Sequence, residues 1–111
     1  MIIASRELTL RTGPLTRKIP IHVFSPETSL DGSWSCRYEI GWPDKNKVVE
    51  AGGFDAMQAL VSALQMIGAE LYATNYHKAG QLFWDKPGQG YGFPVASGLR
   101  DLLVGDDAKY F

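Results

Sequence analysis

The chain has 111 residues, a net charge of −1 and one cysteine, and 45% of its residues are hydrophobic. This length predicts a single domain, residues 1–111, that buries a core without disulfides or metal ions. The balanced charge argues against nucleic-acid or membrane-surface partners, and no apolar run is long enough to span a bilayer. The lone cysteine and the missing secretion signal favour a cytoplasmic protein.

Two amphipathic strands are predicted at the start of the chain. The first spans residues 2–10, and Arg6 interrupts its apolar face, which places this strand near an edge. A turn at Thr12–Pro14 leads to the second strand, residues 18–24. Because Pro20 has no N–H group, it must face an open edge or lie where no donor is needed.

The clearest strand follows a polar loop, 26–32, and spans residues 34–42. Its apolar residues alternate strictly with polar residues or glycine, which is typical of an antiparallel sheet with one buried face; they are Trp34, Cys36, Tyr38, Ile40 and Trp42. A turn at 43–46 joins it to a return strand at 47–51.

The central element is an amphipathic helix within residues 53–76. Asp55 is a suitable N-cap, Gln58 completes a capping box, and Phe54 is placed to act as a hydrophobic staple. Gly68 lies inside the apolar stripe, which indicates close approach of a strand or a bulky aromatic residue. The stripe expected to face the sheet consists of Met57, Leu60, Val61, Leu64, Ile67 and Leu71.

Beyond the helix the pattern weakens. Residues 81–84 predict a short strand, which either adds a fifth strand to the sheet or begins a small hairpin, and 85–94 form a Gly/Pro loop. Ser97 is expected to cap a short helix that runs through Leu103. Residues 105–107 are expected to end this helix. The predicted fold is α+β in two layers: an antiparallel four- to five-stranded meander, one long helix packed on one face, and a short C-terminal helix.

The segment DAMQALVSALQMIGAELY (55–72), together with GQLFW, GYGFP and GLRDLLVGDDA, resembles a family of small bacterial proteins classified only as a domain of unknown function. ASRELTL and WSCRYEIGWP share this resemblance, so it covers most of the chain. No reaction, ligand or catalytic residue is established for that family, and none is implied here.

Sequence motifs give little support for catalysis. The glycines at 88–92 lack the following Lys and Ser/Thr of a phosphate-binding loop, so no cofactor is expected. His22 and His77 have no further ligand at helical spacing, which argues against a metal site. Cys36 has the apolar parity of a buried thiol, and it would act as a nucleophile only if His22 lay beside it. We therefore assign no catalytic residue, and an enzyme is not favoured.

The aromatic residues around the Gly/Pro loop are the candidate binding site. They either fold back and fill the open end of the sheet or line a groove for a partner or small ligand. The groove hypothesis assigns binding to His77, Trp84, Asp85, Tyr91 and Phe93. It favours a small non-enzymatic binding or interaction protein. The alternative is a small-molecule-binding protein or minor enzyme that uses His77, Asp85 and Tyr91, and an immunity- or antitoxin-type inhibitor fits only the size.

A second hypothesis concerns the back of the helix. Ala59, Ala63 and Met66 fall away from the predicted stripe and form a weaker apolar track. Small residues permit close helix approach, so we expect either the C-terminal segment or a second copy of the chain to cover them. A homodimer is therefore an expected partner alongside other proteins.

Overall fold

The computed structural model describes residues 1–111, and the predicted α+β class is confirmed. The strands are β1 (Ile2–Thr12), β2 (Leu15–Phe24), β3 (Glu27–Thr28), β4 (Trp34–Gly41), β5 (Asn46–Gly53) and β6 (Leu82–Phe83). The helices are α1 (Ala56–Ala73), α2 (Asn75–Lys78) and α3 (Gly105–Tyr110), with a 3₁₀ turn at Ser97–Leu102. No helix is both long enough and apolar enough to cross a membrane.

The strands form one antiparallel sheet in the order β5-β4-β2-β1-β6, and the short β3 pairs with β4 beside the end of β2. Gly13 adopts a φ of 60° in the β1–β2 turn, as the primed turns of two-residue hairpins require. Pro20 lies in an interior strand, but β2–β4 pairing begins only at Ile21. The missing N–H group of Pro20 therefore falls just beyond the ladder.

One face of the sheet carries the core. Alternate residues of the four long strands point to this face, and burying each large aliphatic side chain contributes about 1.5–3 kcal/mol. The buried set comprises Leu8, Leu10, Ile19, Ile21, Val23, Cys36, Tyr38, Ile40 and Ala51. The opposite face is polar and largely exposed, as the alternation predicts.

The start of α1 is capped as predicted. The Gln58 N–H group donates to Asp55 Oδ1 at 2.8 Å, and Gln58 Oε1 accepts from the Phe54 N–H group at 2.7 Å. These bonds satisfy amides that the first turn leaves without helical partners. The predicted staple is wrong, because the Phe54 side chain is 92% exposed and turns away from the core.

The buried face of α1 is rotated from the predicted stripe. Met57 is 73% exposed and Val61 is 50% exposed. The side chains that α1 buries are largely small at its start and larger towards its end: Ala59, Ala63, Ile67, Gly68, Leu71 and Tyr72. Small residues let the helix backbone approach its neighbours closely: a Cβ atom on Gly53 would overlap the backbone of Ala59.

This rotation corrects the predicted dimer contact. Ala59 and Ala63 are fully buried within the chain, so they are not available to a second copy. Met66 is 40% exposed and remains on the surface. The alanine track is the inner face of α1, not its back.

An irregular segment, 91–95, completes the cover of the sheet. A Cβ atom on Gly68 would collide with the Pro94 carbonyl oxygen, which explains the glycine in α1. Tyr91, Phe93 and Val95 are buried, each at 6% exposure or less. The close approach predicted for Gly68 therefore involves an extended loop and not a strand or an aromatic ring.

The C-terminal region differs from its prediction. Ser97 does not act as a cap: the N-cap position of the 3₁₀ turn is Ala96, which makes no side-chain bond. The residues expected to end the helix instead begin α3, since Gly105 takes a left-handed φ of 57° that redirects the chain. β6 pairs with β1 and so adds a strand to the sheet, which is the first of the two alternatives predicted for residues 81–84.

Candidate functional site

A buried carboxylate in α3 holds segment 91–95, the crossing loop, in place against the sheet. Asp107 is 1% exposed and accepts hydrogen bonds from the Tyr72 hydroxyl at 2.6 Å, the Tyr91 N–H group at 2.8 Å and the Gly92 N–H group at 2.7 Å. Burial, followed by the hydrogen bond to Asp107, raises the pKa of Tyr72, so its hydroxyl stays a donor at neutral pH. Asp107 thereby joins α3, α1 and the loop.

His77 and Tyr91 are in contact with each other and with Tyr72, which donates to this carboxylate. His77 Nδ1 is hydrogen-bonded to the Tyr91 hydroxyl, and the His77 ring packs edge-on against Tyr72 with centroids 4.7 Å apart. Burial, with a smaller effect from Lys78, lowers the pKa of His77 and favours the neutral ring. Tyr91 is only 2% exposed and His77 is half-buried, so this hydrogen bond ties the loop to α2.

Arg6 fastens the same loop to β1. Its guanidinium donates to the carbonyl oxygens of Tyr91 at 3.2 Å and Gly92 at 2.9 Å. Its central carbon lies 3.9 Å from the Trp84 ring centroid and 4.8 Å from that of Phe93. Such stacking adds about 0.5–2 kcal/mol. The sequence marked Arg6 as an edge residue but gave no signal for this role.

The edge of β1 that carries β6 is only partly paired. The Arg11 N–H group donates to the Gln81 carbonyl oxygen at 2.8 Å, and Thr9 pairs with Phe83. Backbone groups alternate in direction along a strand, so the odd-numbered residues of β1 point their N–H and C=O groups to this edge. The next residue in this series is Glu7.

The residue that would pair with Glu7 is Asp85, and there the chain turns away. Asp85 has a φ of 59°, the only positive φ at a non-glycine residue, and the Lys86 N–H group donates back to the Trp84 carbonyl oxygen at 2.6 Å. A left-handed aspartate is uncommon but tolerated. The N–H and C=O groups of Glu7 and Ser5 are therefore left without a strand partner.

Two cavities lie side by side along this open edge. The larger, about 900 Å³, is polar and is lined by Glu7, Trp84, Asp85 and Lys86 among others. The smaller, about 290 Å³, is apolar and is lined by Ala4, Ile21, Val23, Leu64 and Phe93 among others. Arg6, Gly92 and Phe111 line both cavities.

The structure divides the predicted binding residues into three groups. Trp84, which is 39% exposed, and Asp85 line the polar cavity. Phe93 lines the apolar cavity, although only 5% of its surface is exposed. His77 and Tyr91 are hydrogen-bonded to each other, and neither lines the cavity that Asp85 lines. The trio suggested for the small-molecule or enzyme alternative is therefore not assembled.

The remaining reactive groups do not form a site. Cys36 is fully buried, its thiol donates to the Phe24 carbonyl oxygen at 3.2 Å, and burial raises its pKa. His22 lies on the other face of the sheet, bonded to the Ser5 hydroxyl at 2.8 Å. The condition for a cysteine nucleophile is therefore not met. No three His, Cys, Asp or Glu side chains are grouped so that they could hold a metal ion.

A family comparison matches residues 4–95 to a domain of unknown function, DUF6968. This chain belongs to the DUF6968 family. No curated protein and no solved structure matches it significantly. The matched part of this DUF6968 domain contains the open β1 edge and the crossing loop, whereas Asp107 lies outside it.

Proposed function

We propose that this DUF6968 domain is a non-enzymatic interaction protein that binds an extended segment of a partner as an added strand on β1. The observation that carries the proposal is the open edge at Ser5 and Glu7, where backbone donors and acceptors alternate beside a groove. Strand addition gains its affinity from such main-chain hydrogen bonds and its specificity from pockets for alternate side chains.

The surroundings of the edge support this proposal. Ser5 and Glu7 are exposed, and Trp84 stands beside them with 39% of its surface accessible. Partly exposed aromatic residues are common anchors in protein interfaces. Natural sheets often protect a free edge with lysine, proline, a covering loop or a β-bulge. Here the loop turns away at Asp85, and the register shift of β1 lies between Ile2 and Ala4, so Ser5 and Glu7 stay in a regular, uncovered part of the strand.

A segment of another protein is favoured over a second copy of this chain. In a two-fold antiparallel pairing of β1 edges, a centre at Arg6 places two arginines opposite each other, and a centre at Glu7 places two glutamates opposite each other. Like charges in directly opposed positions are destabilising. Registers centred at Ser5 or at Ala4 avoid both, so the homodimer is the second candidate, and light scattering at high protein concentration tests it.

Peptide selection tests the proposal directly. A random 12-residue peptide library is panned against the wild-type protein, and the enriched peptides are titrated by fluorescence anisotropy. Ser5→Pro removes one edge donor and should weaken binding about tenfold or more, given the worth of a lost hydrogen bond. Ser5→Ala is the matched control, because it removes the bond to His22 but keeps the N–H group.

The outcomes are separable. Bound peptide should also slow amide exchange at Ser5 and Glu7 in the wild-type protein, a readout that needs no variant. If the wild type enriches no peptide, or if peptides bind without protecting these amides, strand addition at β1 is wrong.

A further inference from the structure

We infer that the added strand inserts an apolar side chain into the cavity beside Leu64 and presents a basic side chain to Glu7. This inference rests on the proposed function and specifies the partner: an extended polypeptide segment with an aliphatic or aromatic residue on one face and lysine or arginine on the other.

The alternation of β1 fixes which face each partner residue occupies. Leu8 and Leu10 are buried on the helix side of the sheet, so the even-numbered side chains of β1 point inward. Ser5 and Glu7 point to the outer face. Residues of an added strand share the face of the residue opposite them. A partner residue opposite Ala4 or Arg6 therefore points inward, and one opposite Glu7 points outward.

The inward position meets an incompletely covered part of the core face. Ala4 is exposed although it shares the face of Leu8 and Leu10. Here α1 and segment 91–95 leave the apolar cavity of about 290 Å³. Ala4 and Arg6 both line it, so it is continuous with the open edge. An apolar side chain of the added strand would therefore fill this cavity and bury its apolar lining.

The outward position lies directly opposite Glu7. Glu7 and Asp85 line the groove together with Lys18 and Lys86. Neither carboxylate takes part in an ion pair, since the two ion pairs in the protein are Arg37–Glu39 and Lys47–Glu70. Lys18, on the neighbouring strand, donates to the Thr9 hydroxyl at 3.3 Å. Opposite charges in directly opposed strand positions attract, so a basic residue is favoured opposite Glu7.

Three protein variants test these two features with the peptides selected on the wild type. Ala4→Phe fills the cavity from within and should weaken binding about ten- to hundredfold, the loss expected for one buried apolar side chain. Val48→Phe is the matched control, because it adds the same ring to an exposed position of β5. Panning on Glu7→Lys should replace the basic residue of the selected peptides with an acidic one.

A peptide-side experiment removes any dependence on the folding of the variants. Alanine replacement of the single apolar anchor in the best wild-type peptide should weaken binding by the same factor as Ala4→Phe. If Ser5→Pro abolishes binding while neither change at the cavity alters it, the apolar anchor is wrong and strand addition stands. If the peptides selected on Glu7→Lys keep a basic residue, the charge preference is wrong. Failure of the wild type to select any peptide would remove both proposals.

Discussion

Replacing Asp107 with alanine tests whether α3 holds the crossing loop against the sheet. The carboxylate accepts three hydrogen bonds, from the Tyr72 hydroxyl and from the N–H groups of Tyr91 and Gly92. Hydrogen bonds to a charged group contribute about 1.5–3 kcal/mol each, and a buried donor left unpaired costs about 1–3 kcal/mol. Such effects are not additive among neighbours and water enters the gap, so we expect a loss of about 3–5 kcal/mol.

That loss is a large part of the roughly 5–15 kcal/mol by which domains of this kind are stable. Urea unfolding followed by tryptophan fluorescence measures it, and an unchanged m-value shows that the whole domain still unfolds together. Asp106→Ala is the matched control: this neighbour is exposed and contributes mainly through the α3 dipole, about 0.3–1 kcal/mol. If the Asp107 and Asp106 variants are equally stable, the buried carboxylate does not hold the loop.

Three further predictions concern the core and its ionisable groups. Gly68→Ala should lower the free energy of unfolding by about 1–3 kcal/mol, because the added methyl group meets the Pro94 carbonyl. Gly98→Ala, where the methyl group enters open space, should cause no such loss, and thermal unfolding measures both variants. Cys36 should react with Ellman's reagent in urea but not in the native protein, and fast native labelling would contradict its burial. Burial lowers the pKa of His77, so the unfolded chain binds more protons and the free energy of unfolding should fall as pH drops below about 6.5. Urea titrations of His77→Gln should show a weaker pH dependence of this free energy. The same pH dependence in the variant and the wild type would refute the prediction.

Local rules predict most of the sheet and the start of α1. The strict alternation from Trp34 onward and the Asp55 cap depend on neighbouring residues alone, and both are found in the structure. The face of α1 is predicted only in part: Ile67 and Leu71 are buried as expected, whereas Met57 and Val61 are exposed. The prediction fails there because large apolar side chains outweigh small ones in a hydrophobic pattern. Close approach to the sheet favours Ala59 and Ala63 instead.

The site is less predictable, because its parts come from distant points of the chain. Loop composition identifies Trp84 and Asp85 as groove residues, which the structure places beside the open edge. Arg6 and Asp107 look like ordinary surface charges in the sequence. Asp107 is buried and Arg6 is half-buried because both bond to the segment around Gly92. Gly92 lies 86 residues from Arg6 and 15 from Asp107 in the sequence, so no local pattern carries that information.

Amide hydrogen exchange in the free protein tests the open β1 edge most directly. The account predicts that the Ser5 and Glu7 amides exchange rapidly, while the Leu8 amide, which faces β2, and the Arg11 amide, which donates to Gln81, exchange slowly. The measurement is made on dilute protein shown to be monomeric. If Ser5 and Glu7 are protected as strongly as Leu8 under those conditions, the edge is already occupied and strand addition has no place to occur.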